Sequence, residues 1–96
     1  MPYELTLITR LRKAGWKVKI RDAERLEDPH VTILWKYKTW RLSLRTNQFL
    51  EKGQSWRQID TGVQGAIEEA WETIKKTWDE LYPENPITSK NDDEDD

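Results

Sequence analysis

His30 is the sole histidine of the chain. Imidazole titrates near neutral pH and can take or give a proton there. Applied to a phosphodiester, that chemistry would have His30 activate a 2′-hydroxyl. Arg45, Lys19 or Arg21 would then stabilise the charge of a phosphorane-like transition state. The competing reading is plainer: a lone histidine after a proline at a strand edge is an ordinary loop residue. Metal ligation asks for more than the chain offers. With one histidine and no cysteine, carboxylates such as Glu24, Glu27 or Asp28 would have to complete the ligand set. We therefore expect no metal site and no cofactor.

The second group with chemical potential is cationic. Lys17, Lys19, Arg21, Lys36, Arg41 and Arg45 fall on alternate positions of extended segments. On a pleated surface such residues stand about 5–7 Å apart, a spacing suited to successive phosphates of RNA or DNA. Exposed strands also carry lysine and arginine simply to discourage edge pairing. The same face lacks the aromatic residues on which single-stranded bases stack. Leu34 is its one large apolar residue. Leu34 or a sheet edge would offer a protein partner, or a second copy, a place to bind. No glycine-rich phosphate loop and no Gly-x-Ser-x-Gly occurs, and no carboxylate pair is singled out by its spacing.

The elements that must carry these residues are legible in part. From Pro29 to Arg45 the sequence P-H-V-T-I-L-W-K-Y-K-T-W-R-L-S-L-R reads with a period of two. A turn at Tyr37-Lys38, or a four-residue turn in the same register, would set Trp35 opposite Trp40, Ile33 opposite Leu42 and Val31 opposite Leu44. All six then share one face. Thr32, Leu34, Lys36, Arg41, Ser43 and Arg45 take the other. A slip of one residue would bury the charges. The strands are expected at about 30–37 and 39–46. A cross-strand aromatic pair contributes roughly 0.2–1 kcal/mol beyond an alanine pair.

Before the hairpin, Leu7, Ile8, Leu11 and Ala14 recur at helical spacing and predict a first helix over 3–14. Pro2 suits its start and Gly15 the position past its end. Trp16, Val18 and Ile20 then alternate with Lys17, Lys19 and Arg21, a strand with a basic outer face. After the hairpin, residues 47–59 hold Phe49, Leu50, Trp56 and Ile59 without a clear period. Val63, Ile67, Ala70, Trp71, Ile74, Trp78 and Leu81 form one helical stripe, and Thr61 with Gln64 fits a capping box. Pro83 ends that helix. Residues 85–96 read as a disordered acidic tail.

The expected fold is α+β in the order α-β-β-β-α. A three-stranded antiparallel sheet carries two helices on one face, within a single domain over 1–84.

The 96 residues and six tryptophans fit one small domain with an aromatic-rich core. The net charge of -2 hides a split. Residues 1–57 hold 13 Lys/Arg and 6 Asp/Glu, whereas residues 58–96 hold 3 and 12. Such asymmetry fits a polyanion-binding body with an acidic tail that covers it, and equally the plainer reading of solubility and a solvated helix face. Absence of cysteine excludes disulfides and thiolate zinc sites and suits a reducing cytoplasm. No leader is apparent, and no segment approaches the roughly 20 apolar residues that span a bilayer.

The run L-R-K-A-G-W from Leu11 to Trp16, followed by a strand and by His30 opening the next, resembles HicA-type mRNA interferase toxins. These are small bacterial proteins similar to the double-stranded-RNA-binding fold. The resemblance implies the same helix–three strands–helix order and a catalytic role in RNA cleavage for His30. Where that family carries Gly-Ser-His, this chain has Asp28-Pro29-His30. The Pro-His-Val opening also resembles a group of small uncharacterised bacterial proteins, which implies no activity. Taken together, the sequence favours RNA or DNA binding through the basic face over catalysis. A ribonuclease using His30 and a non-catalytic protein-interaction module stand as alternatives.

Overall fold

A computed structural model describes residues 3–21 and 27–87. It contains strands β1 (Tyr3–Glu4), β2 (Lys17–Ile20), β3 (His30–Trp35) and β4 (Lys38–Ser43). The helices are α1 (Thr9–Lys13), α2 (Thr61–Glu69) and α3 (Trp71–Leu81), with a single 3₁₀ turn at Trp56–Gln58. The four strands form one antiparallel sheet in the order β1-β2-β3-β4.

The fold is therefore α+β with helices on an antiparallel sheet, but the sheet has four strands where three were expected. The additional strand comes from the segment read as the start of the first helix. Tyr3, Leu5 and Leu7 turn inward while Glu4, Thr6 and Ile8 turn outward. That is a period of two, and β1 pairs Tyr3 with Ile20 and Glu4 with Lys19. Leu7 belongs to both patterns, which is why helical spacing from Leu7 to Leu11 masked the alternation. The first helix shrinks to five residues, and Gly15 past its end sits at φ +100, the left-handed position that glycine takes most readily.

The hairpin keeps its faces and changes its register. Its turn is Lys36-Tyr37, with Lys36 at φ 56, so Ile33 opposes Trp40, Val31 opposes Leu42 and Trp35 opposes Lys38. The shift from the expected pairing is two residues, which conserves side-chain parity. It releases Trp35 from Trp40 and lets it stack on Trp16, ring centroids 4.9 Å apart and planes 7° from parallel. The Trp35 Nε1–H donates to the Ala14 carbonyl at 3.0 Å, tying the hairpin tip to the end of α1.

The inner face carries Val18, Ile20, Val31, Ile33, Trp40 and Leu42, all buried. Leu11 of α1, Val63 and Ile67 of α2, and Ile74 and Trp78 of α3 close over it as one core. The expected helix over 61–81 breaks at Ala70 (φ -96, ψ 7), the one irregular step of its apolar stripe. Asp60 caps α2 by accepting from the Gly62 N–H at 2.7 Å, in place of a Thr61–Gln64 box. The capping box occurs one turn earlier, between Ser55 and Gln58.

The unassigned connection after β4 doubles back along that strand. Phe49 bridges to Leu42, and the Leu50 N–H donates to the Arg41 carbonyl at 2.9 Å. The Gln54 side chain donates to the Thr39 carbonyl at 2.9 Å. Backbone groups on this edge are thereby occupied, a cover that discourages edge-to-edge association. The body also extends past residue 84: Ile87 is buried in the core. The rest of the acidic tail lies outside the described residues, as does Glu24. No helix among the described residues is long and apolar enough to cross a membrane.

Candidate nucleic-acid interface

The sheet places Lys17, Lys19 and Arg41 by alternation on the face opposite the core, Arg21 and Arg45 just past the ends of β2 and β4, and Lys36 in the hairpin turn. One cross-strand row runs Glu4, Lys19, Thr32, Arg41. A neighbouring row runs Lys17, Leu34, Thr39. Thr32 is buried although it belongs to the outer face. The long side chains on either side in its row, Lys19 and Arg41, explain that cover, because such residues lay their methylene stems along a surface while their charged ends reach water. Leu34 is half-buried between Lys17 and Thr39.

The cations divide into two groups along the strands. At the end away from the hairpin tip the arginines are engaged, while Lys19, in the Arg41 row, has no ion pair among the described residues. Arg41 reaches Glu27 at 3.2 Å through Nη1 and hydrogen-bonds Glu51 through Nη2. The Glu51 hydrogen bond above all, with Glu27 in support, holds the guanidinium pKa above its ordinary value. Arg45 donates from Nε to the Ile87 carbonyl and from Nη2 to the Pro86 carbonyl, each at 2.8 Å. Asp28 lies 3.9 Å from its Nη1. Arg45 thus fastens the chain that follows α3 to the end of the sheet.

That strap has further ties. The Tyr82 hydroxyl donates to the Arg21 carbonyl, and the Asn85 amide donates to the Glu27 carbonyl at 2.6 Å. Trp78 Nε1–H donates to the Asn85 carbonyl at 2.8 Å.

His30 belongs to this same end. It is fully buried, its ring 5.7 Å from that of Trp78. Its Nδ1 lies 2.7 Å from the Asp28 carbonyl. A carbonyl only accepts, so Nδ1 carries the proton and donates. Nε2 faces Glu27 Oε1 at 3.8 Å, the carboxylate that also serves Arg41. With no exposed surface, the imidazole in this conformation is out of reach of a phosphodiester. What it does here is tie β3 to the 27–28 segment and to α3. No group of three or more His, Asp or Glu among the described residues is arranged to hold a metal ion.

At the hairpin-tip end the pattern reverses. Lys13, Lys17, Lys36 and Lys38 are exposed, and none has a carboxylate within ion-pair distance among the described residues. Lys36 Nζ stands 4.6 Å from the centroid of the half-buried Trp35 ring, a cation–π contact that leaves its charge uncompensated. Lys13 is brought here because α1 ends against Trp35. Between Lys36 and Lys38 stands Tyr37, 91% exposed. The sequence pattern marks Tyr37 and Lys38 only as a turn, and nothing local brings Lys13 beside them. The signal for their grouping was present as W-K-Y-K, but it depends on where the turn falls. No family model, no curated protein and no solved structure matches the chain.

Proposed function

We propose that this chain is a small non-catalytic nucleic-acid-binding domain, and that it meets phosphates at the hairpin end of its sheet. The observation that carries the reading is the sorting of charge. Arg41 and Arg45 are committed to Glu27, Glu51, Asp28 and the carbonyls of residues 86–87. Lys13, Lys17, Lys36 and Lys38 remain unpaired among the described residues and cluster at one end. Exposed lysines without carboxylate partners are free to neutralise phosphates, and release of the cations condensed on the nucleic acid drives association. Lys19, half-exposed beside Glu4 in register, extends the surface along β2. The cysteine-free composition fits a reducing, cytoplasmic setting.

The reading is tested by titrating the full chain into labelled RNA and DNA at about 50 and 200 mM salt, where phosphate contacts make affinity fall steeply. Lys17→Ala with Lys38→Ala should weaken binding to RNA and DNA alike and flatten the salt dependence. Absence of binding by the unmodified chain at the lower salt would reject the proposal.

A further inference from the structure

We infer that Tyr37 is a base-stacking residue and that the hairpin tip takes single-stranded nucleic acid in preference to duplex. This deepens the reading above and rests on it.

Tyr37 is the most exposed of the chain's large apolar or aromatic residues among those described, at 91%. It is one of two residues in the turn, so its backbone is held by the ladder of six pairs behind it. The turn carries a second restraint at its base, since Trp35 is stacked on Trp16 and hydrogen-bonded to Ala14. A ring so placed has little backbone entropy left to lose on binding, and nearly all of its surface is still available.

The chemistry around the ring selects the ligand. Lys36 and Lys38 flank it in sequence, and strand alternation sets Lys17 and Lys38 on opposite faces of the sheet beside it. A strand of nucleic acid passing over the tip would meet ammonium groups on both sides, with an aromatic plane between. Single-strand binders combine these two elements, cations for the backbone and an aromatic face for a base.

A duplex cannot use the ring in this way, because its bases are already stacked and paired. Duplex RNA is met instead through shape, phosphates and 2′-hydroxyls. The lysines serve either form, whereas Tyr37 adds affinity only where a base is free to stack. RNA and DNA single strands share this chemistry; a 2′-hydroxyl contact would separate them.

The test measures fluorescence anisotropy of the full chain with single-stranded RNA, single-stranded DNA and duplex RNA, each of about ten nucleotides per strand. The unmodified chain should bind the single strands more tightly than the duplex. Tyr37→Ala should weaken single-strand binding about tenfold or more and leave duplex binding as it was, while Tyr37→Trp should restore it. Circular dichroism confirms that each variant stays folded, as expected for a residue this exposed. The inference is overturned if Tyr37→Ala binds single strands like the parent while lysine variants still weaken them; the broader nucleic-acid reading then survives. If the parent binds none of the three ligands at low salt, both fall together.

Discussion

Trp16 and Trp35 lie 4.9 Å apart with nearly parallel rings, whereas Trp35 and Trp40, the pair expected to face each other, do not oppose one another across the hairpin. Trp16 also stacks on Trp40 at 5.9 Å and 24°, so it sits between the two hairpin tryptophans. A residue outside the hairpin thus packs against both of its tryptophans. The parity of side chains is the same for turns at 36–37 and 37–38 when the pairing shifts by two, so alternation alone could not choose. The indole of Trp16, the residue before β2, stacks on Trp35 in the register observed.

This arrangement predicts the outcome of double-mutant cycles. Replacing Trp16 and Trp35 by Leu, singly and together, should reveal a coupling of about 0.5–1.5 kcal/mol beyond the separate losses. The same cycle on Trp35 and Trp40 should show markedly less. Urea denaturation supplies the free energies. A larger coupling for Trp35 with Trp40 would restore the register in which those two face each other.

Thr32 predicts a gain in stability. Its hydroxyl is buried and finds no hydrogen-bond partner among the described residues. A buried polar group left unsatisfied costs about 1–3 kcal/mol, and a shape-matched apolar group removes that cost. Thr32→Val keeps the branched shape that suits a strand. It should raise the denaturation free energy by about 1 kcal/mol. A fall in stability would show that the hydroxyl is satisfied, for instance by ordered water.

These two sites show where the sequence was legible. The inner face of the hairpin and the stripe of the long helix could be read because a period of two or of 3.6 is local. The first strand could not, because Leu7 completes both Tyr3–Leu5–Leu7 and Leu7–Ile8–Leu11, and only pairing with Ile20 and Lys19 decides between them. The same holds for the site. That Lys17, Lys19 and Arg41 are cations on one face follows from alternation. That Arg41 and Arg45 are engaged does not, because their partners come from Glu27, Glu51 and the carbonyls of residues 86–87, far away in sequence. His30 is a similar case: its type announces acid–base chemistry, and its burial against Trp78 is a tertiary fact.

Asp60 predicts a pH dependence with a definite sign. Its carboxylate accepts from the Gly62 N–H at 2.7 Å and lies 3.6 Å from Arg10 Nη1. The amide hydrogen bond first, and Arg10 second, hold its pKa below the ordinary 3.8. A pKa depressed on folding means that the contribution is fully present above the unfolded value. It is lost as pH falls through the folded value. Asp60→Ala should therefore lower the urea midpoint at pH 7, with the gap to the parent narrowing in strong acid. Asp60→Asn, which still accepts the cap hydrogen bond, should fall between them at pH 7. A gap that stays constant across the acid range would show that the carboxylate's charge contributes nothing.

Arg45 and Lys17 should separate stability from binding. Arg45 holds two carbonyls of the strap, each at 2.8 Å. Hydrogen bonds from a charged donor contribute about 1.5–3 kcal/mol when sheltered and less when the side chain is partly in water, as this one is. Arg45→Ala should cost about 1–2 kcal/mol by urea denaturation, and it should leave affinity for nucleic acid nearly unchanged. Lys17 makes no ion pair among the described residues, so Lys17→Ala should change stability by less than about 0.5 kcal/mol. It should reduce affinity for RNA and DNA, and lower the slope of log affinity against log salt by about 0.7 on a single strand if one phosphate contact is lost. The two readouts cross: the variant that loosens the fold keeps the ligand, and the variant that keeps the fold loosens the ligand. If Arg45→Ala instead lost binding with its stability intact, the phosphate-contacting surface would lie at the strap end of the sheet rather than at the hairpin tip.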